Sequence, residues 1–295
     1  MNTNKLNLKI KKILGEKSKR ILMFFLYPVR NQFMLFNVTN RSKNNCVNLN
    51  YWLESDNLGD TLSPLIVNYM LSLRNISTDV TVKGRKHLFA VGSVLTAGIQ
   101  DCTVWGSGIL NASLSYRLKY RKMDVRSVRG PFTRIILADY GIHSPEIYGD
   151  PAILLPEIYA PKNIVKKYRY GLIMHKDQVL KLSSTLPIHI IDICTSDYEN
   201  FINEVVSCEI VISSSLHGII IAESYGVNAI LLKPTIDVLK YYDWYYSTKR
   251  YVFPIVNSIE EAMATIPVGL PELQGLRDEL KKAFPYDLYL QNSEL

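Results

Sequence analysis

Ser213, Ser214 and Ser215, followed by Leu216, His217 and Gly218, stand between an apolar run ending at Ile212 and a second run over residues 219–225 that stops at Gly226. The pattern predicts a buried β-strand, a hydroxyl-rich turn and a helix closed by glycine. A helix N-terminus presents unpaired backbone N–H groups and the positive end of the helix dipole, so such a turn suits an anion, phosphate above all. Imidazole is the side chain that titrates nearest neutral pH without a large shift, which makes His217 the natural acid or base beside it. The plainer alternative is that the serines cap a helix and His217 packs in its first turn.

Three more motifs lie at expected strand ends. Asn57-Leu58-Gly59-Asp60 follows a strand-like stretch at 47–53 and precedes an apolar helical run at 62–73. Val128-Arg129-Gly130-Pro131 opens another helix, and Tyr148-Gly149-Asp150-Pro151-Ala152 closes the segment after it. Arg129 offers a guanidinium fork for a carboxylate or phosphate, or else pairs with an acid such as Asp150. Asp60 either caps its helix or accepts a proton from a sugar hydroxyl. Gly106-Ser107-Gly108 could bring backbone amides to an anion, and the aromatic run at 241–246 either stacks on sugar rings or fills core.

In order and spacing these motifs resemble the polysaccharide pyruvyl transferase family, over residues 46–234. The resemblance implies transfer of a pyruvyl group from phosphoenolpyruvate onto a hexose diol of a lipid-linked or free oligosaccharide, as a cyclic ketal, without a cofactor or metal. It makes His217, the match to the family's Leu-His-Gly histidine, catalytic together with Asp60. Arg129 then binds the donor, and Ser213, Ser214, Ser215, Gly218, Asn57, Asp150 and Lys233 complete the substrate site. Much of the family carries arginine immediately before Leu-His-Gly. Here that position is Ser215, so hydroxyls, backbone amides, Lys233 or Arg134 must take over a phosphate contact.

The elements that must position these groups alternate along the chain. Strands are expected at 47–53, 88–91, 103–105, 123–128, 147–148, 170–174, 188–192, 210–213 and 229–232, and helices at 62–73, 131–140, 198–207 and 216–225. Such alternation indicates parallel sheets covered on both faces. Pro151, Pro156 and Pro161 predict an extended linker over 151–167. The expected fold is α/β, two Rossmann-like doubly wound domains facing each other across a cleft, an arrangement the resemblance likens to B-type glycosyltransferases. The expected parts are a basic, apolar arm at 1–45, an acceptor-side domain at 46–155, a donor-side domain at 156–270 and a helix and tail at 271–295.

At 295 residues, 47% hydrophobic and 21% charged, the chain has the composition of a globular protein large enough for two domains. Its +7 charge does not mark a nucleic-acid binder, because residues 1–43 hold ten Lys or Arg against one acid while the rest holds 24 against 26. The apolar run at 21–27 is too short to span a bilayer. The arm is expected to lie on an anionic membrane surface or to cover the protein's own core. Four cysteines without metal-ligand spacing fit reduced thiols and a cytoplasmic protein, at most peripheral to the membrane's inner face. Two rivals to the transferase are a nucleotide-sugar glycosyltransferase of similar architecture and a binding subunit that has lost the chemistry.

Overall fold

The computed structural model describes residues 39–41, 46–51, 57–76, 86–97, 101–175, 178, 187–235 and 237–289. The expectations for the basic arm lie outside them, apart from strand β1 (Thr39–Arg41).

The architecture is α/β with two five-stranded sheets. The first has the order β1, β2 (Cys46–Asn50), β3 (Lys86–Phe89), β4 (Cys102–Trp105) and β5 (Met123–Ser127). All its pairings are parallel except β1 with β2. Tyr148 adds a single parallel bridge to Val128, where a short strand was expected. The second sheet is wholly parallel, in the order β10 (Ile255–Val256), β9 (Asn228–Leu232), β8 (Cys208–Ser213), β6 (Tyr168–Ile173) and β7 (His189–Ile190). This arrangement is compatible with Rossmann-like units.

Period-two alternation explains how each sheet is covered. Along β9, Ala229 and Leu231 join one apolar cluster while Ile230 and Leu232 join another, and Val211 and Ile212 divide in the same way on β8. Helices α1 (Leu58–Ser72), α4 (Tyr198–Val206) and α5 (Leu216–Ser224) all contribute to one continuous cluster that takes side chains from both sheets, including Leu88, Trp105, Ile173 and Val211. The first sheet's other face is filled by Phe89, Val104, Val125 and Leu137, the last from α2 (Pro131–Asp139). Helix α5 is buried over most of its length, as its nearly unbroken apolar sequence requires.

The first half of the expected extended linker at 151–167 is instead a 3₁₀ turn at Pro151–Leu154 running into α3 (Leu155–Ile158), while residues 159–167 form neither helix nor strand. Pro151 and Pro156 occupy first-turn positions, where a helix needs no proline N–H and the fixed φ is favourable. The remaining helices are α6 (Leu239–Ser247), α7 (Ile259–Ala264) and α8 (Gln274–Lys282). Helix α8 ties the far end of the chain to earlier elements. The indole of Trp105 donates to the Leu280 carbonyl at 2.8 Å, and Arg277 Nε donates to the Ile153 carbonyl at 2.9 Å.

Candidate active site

The second sheet changes direction at β6, with β7 on one side and β8 on the other. In open α/β sheets a ligand crevice forms beyond the carboxyl ends of the strands at such a switch. Those ends are Ile173, leading to His175, and Ser213, leading into the serine turn.

The turn is tied to its neighbour by its own hydroxyls. Ser214 N donates to the Ile173 carbonyl at 3.1 Å, and His175 N donates to Ser214 Oγ at 2.8 Å. Ser213 Oγ accepts from Ser215 N at 3.0 Å and lies 2.9 Å from the Ile173 carbonyl. A β-carbon at Gly218 would stand 2.5 Å from that hydroxyl, so only glycine lets α5 come this close to the strand end. Ser213, Ser214 and Gly218 therefore shape the turn. Ser215 is the N-cap residue of α5 and is buried, yet its side chain makes no capping bond, which leaves the helix's first amides without a side-chain acceptor.

His217, in the first turn of α5, is held between two of the other motifs. Its ring packs on Gly59 so tightly that a β-carbon there would lie 1.9 Å from Nδ1. Its Nε2 faces Asp150 Oδ2 at 3.6 Å. Both of those atoms are buried and neither has a hydrogen-bond partner. Asp150 is completely buried, and its other oxygen accepts from Ala152 N at 3.1 Å to cap the 3₁₀ turn. Gly149, at φ 132°, supplies the left-handed backbone that leads into Asp150.

Asn57 caps α1, its Oδ1 accepting from Gly59 N at 3.0 Å, and Leu58 N donates to the Ile193 carbonyl of the second half at 2.9 Å. Asp60, half-buried in the first turn of α1, has its Oδ1 3.8 Å from where a β-carbon of Gly92 would stand. Asn57, Gly59, Asp150 and His217 thus come together from three separate motifs. Lys233 is set apart, exposed at the end of β9. Arg134 pairs with Glu146 at 2.9 Å, which occupies the side chain considered as a second phosphate ligand.

Arg129 sits deeper than an open anion ligand would. Its side chain is fully buried, with Nη1 donating to Ser93 Oγ at 2.5 Å and Nη2 donating to the Ile109 carbonyl at 3.0 Å. Its acidic partner is Asp243 of α6, at 3.2 Å, rather than Asp150. Asp243 also accepts from Thr133 N at 3.0 Å and from Thr133 Oγ1 at 2.6 Å. Gly130 and Gly108 make this packing possible, since β-carbons there would meet the Asp243 carbonyl at 2.0 Å and the Arg129 guanidinium at 2.4 Å. The glycines at 106–108 therefore make room for Arg129 and for Pro151, which a β-carbon on Gly106 would meet at 2.4 Å.

Helix α6 joins this buried pair to the serine turn. Tyr241, two residues before Asp243, donates its hydroxyl to the Ser214 carbonyl at 2.5 Å. Burial pushes the Tyr241 phenol up, against the opposing charge of Arg129. Trp244 donates to Glu223 Oε2 at 2.8 Å, and Arg250 grips the same carboxylate at 2.6 and 2.8 Å. Tyr241, Trp244 and Tyr245 are core, which decides the alternative left open for them. Asp243 was missed. Its signal was a lone carboxylate inside an aromatic run, which needs a buried cation when the run is buried.

Among the described residues no cluster of His, Cys, Asp and Glu is arranged to hold a metal, and no helix is long and apolar enough to cross a membrane. Among the described residues, Cys102, Cys194 and Cys208 stand outside any disulfide.

Comparison with known proteins bears on the same region. Residues 99–234 match the family model described as polysaccharide pyruvyl transferase. An uncharacterized protein, L143, of Acanthamoeba polyphaga mimivirus is 28% identical over 210 residues, covering 66% of this chain and 72% of that protein. The succinoglycan biosynthesis protein ExoV of Rhizobium meliloti is 24% identical over 208 residues, covering 66% of this chain and 62% of its own length. The matched segment contains Arg129, Asp150, the serine turn, His217 and Lys233, while Asn57, Gly59, Asp60, Tyr241 and Asp243 lie outside it. Over residues 99–234, just under half of its length, the chain is similar to the polysaccharide pyruvyl transferases.

Proposed function

We propose that this protein transfers the pyruvyl group of phosphoenolpyruvate to two hydroxyls of one hexose in a surface polysaccharide precursor, forming a cyclic ketal. The observation that carries the reading is His217, set at the switch point with Nε2 turned to Asp150 and Nδ1 against Gly59. The Asp150 carboxylate faces the ring at Nε2, and the imidazole exchanges a proton with substrate as general acid–base catalysis requires. Asp60, in the first turn of α1, is the second candidate for proton transfer. In the reaction one sugar hydroxyl adds to C2 of the enol ester while a proton is delivered to C3, making the methyl group. The second hydroxyl then displaces phosphate from C2, and its proton leaves with the phosphate. No water is consumed.

The donor's phosphate fits the uncapped first turn of α5, and Lys233, exposed on the neighbouring strand end, would have to swing in to join it. Arg129 can reach an anion only if Ser93 or Asp243 gives way, so its contribution to the donor site is a charge held beneath it rather than a free fork. The acceptor diol would enter from the α1 side, past Asn57 and Asp60, in a cleft between the two sheets. The support is the family match together with this geometry.

The test is a thermal-shift titration with phosphoenolpyruvate and with a panel of nucleotide sugars, followed by a phosphate-release assay with a sugar acceptor. A ligand at 100 times its Kd stabilises by about 2.7 kcal/mol. Stabilisation by phosphoenolpyruvate and acceptor-dependent phosphate release are expected. Stabilisation by a nucleotide sugar alone would replace this reading with a glycosyltransferase.

A further inference from the structure

All strands of the second sheet run the same way, so the segments entering them share one edge, opposite the serine turn. Residues 162–169, entering β6, are exposed without a break and hold Lys162, Lys166, Lys167 and Arg169 with no acid. Among these cations Ile164 is 53% and Val165 61% exposed. Residues 251–254 enter β10 at the same edge, where Val252 is 87% exposed and Lys249 lies just before it. Helix α7 returns to this edge as well. Tyr170, near the start of β6, donates its hydroxyl to the Met263 carbonyl at 3.1 Å, and Ile266, three residues on, is 87% exposed.

Aliphatic side chains exposed this far and gathered at one edge mark a contact surface. The charge decides its partner. Glu209 stands at the start of β8, Glu204 faces His189 at 3.7 Å and exposed Glu272 follows Ile266, but Ile164 and Val165 lie among Lys162, Lys166 and Lys167, and Val252 follows Lys249 and Arg250. A hollow of about 570 Å³ beside 159–167 is lined by Lys162, Lys167, Asn163, Asn203 and Ser207 and by no acid. A second protein's apolar face would match the aliphatics and leave the lysines without counter-charge. A bilayer with anionic headgroups matches both.

We propose that this edge rests on an anionic lipid surface, with Ile164, Val165, Val252 and Ile266 entering the headgroup boundary and Lys162, Lys167 and Lys249 meeting lipid phosphates. Strand β6 spans about 20 Å at 3.3 Å per residue, so the serine turn would face the water about that far from the headgroups. The proposal does not depend on the reaction assigned to the site.

The test is co-sedimentation of the full chain with phosphatidylcholine vesicles, with and without phosphatidylglycerol, at low and high salt. The chain is expected to bind only the anionic vesicles and to be released by salt. Because residues 1–43 are also basic, the reading is the difference between edge variants that keep that segment intact. Lys162→Ser with Lys167→Ser, Ile164→Ser with Val165→Ser, and Val252→Ser with Ile266→Ser change exposed positions, and circular dichroism checks that each folds. Each pair is expected to weaken binding about tenfold or more. Folded variants that all bind like the parent overturn the proposal, as does a parent that fails to bind the anionic vesicles or binds neutral ones equally. A parent that is dimeric in solution, and is made monomeric by the Ile164 and Val165 changes, would make the edge a contact between copies instead.

Discussion

Gly59 and His217 touch: the imidazole lies where a β-carbon of residue 59 would be, 1.9 Å from Nδ1. The glycine of the Asn57–Asp60 motif is therefore a positioning feature for the histidine as well as part of a helix start. Gly59→Ala is expected to push the ring off Asp150. Overpacking of this kind costs about 1–3 kcal/mol. Transfer is expected to fall by about 10²-fold, because a misplacement near 1 Å has that effect on a positioned catalytic group. The check is kcat on folded Gly59→Ala protein, and near-parental turnover would remove His217 from the reaction.

The His217–Asp150 pair makes a second expectation. His217→Gln keeps polarity and approximate volume and should lower kcat by about 10²–10⁴-fold with little change in donor binding. Asp150→Asn keeps the Oδ1 cap to Ala152 and removes the charge facing Nε2, so it should also lose kcat while remaining folded. If Asp150→Asn instead weakens donor affinity with kcat unchanged, Asp150 is a binding group and not the orienter of His217.

Arg129 and Asp243 form a buried pair, and breaking one by removing a single partner costs about 3–5 kcal/mol. Asp243→Ala should therefore lower the unfolding midpoint strongly. Arg129→Lys should be destabilising too, since a lysine cannot reach Ser93, Ile109 and Asp243 together. The effect on the donor constant should be read only after urea unfolding has shown how much protein is folded. A fully stable Arg129→Lys protein would mean that the pair is dispensable to the fold.

What the sequence disclosed follows from the range of the forces involved. Short apolar runs such as 208–213 and 228–232 mark strands buried on both faces because strand side-chain direction is local, and Gly226 ends α5 because a left-handed φ of 75° is local as well. Pro151 and Pro156 misled because proline breaks a helix interior but suits its first turn, and only the position decides. The Asn57–Asp60, Gly149–Asp150 and Leu216–Gly218 motifs were visible, but their meeting at His217 was not, since it depends on contacts between residues up to 158 positions apart, Gly59 with His217. For Arg129, guanidinium chemistry suggests an open fork or an ion pair with a nearby acid such as Asp150, and the structure has the ion pair with a different acid. Its actual partner, on a helix more than a hundred residues later, could have been inferred only from the oddity of Asp243 among aromatics.

Buried phenols set the alkaline limit of the fold. Tyr225, Tyr241, Tyr245 and Tyr289 are all pushed up from the ordinary tyrosine value, chiefly by burial, which penalises the phenolate. Folded protein therefore holds protons that unfolded protein has begun to release near pH 10, and stability must fall as pH rises above that point. The contribution of these groups is fully present below pH 10 and is lost progressively toward their higher folded values. Urea midpoints measured from pH 8 to 11 should be flat at first and then drop, with tyrosinate absorbance rising together with unfolding. Tyr241→Phe removes one of these protons and also the hydrogen bond to the Ser214 carbonyl. It should therefore flatten the alkaline drop while lowering activity at neutral pH, because the serine turn loses its tether to α6. A variant with the flattened drop and parental activity would separate that tether from the chemistry at His217.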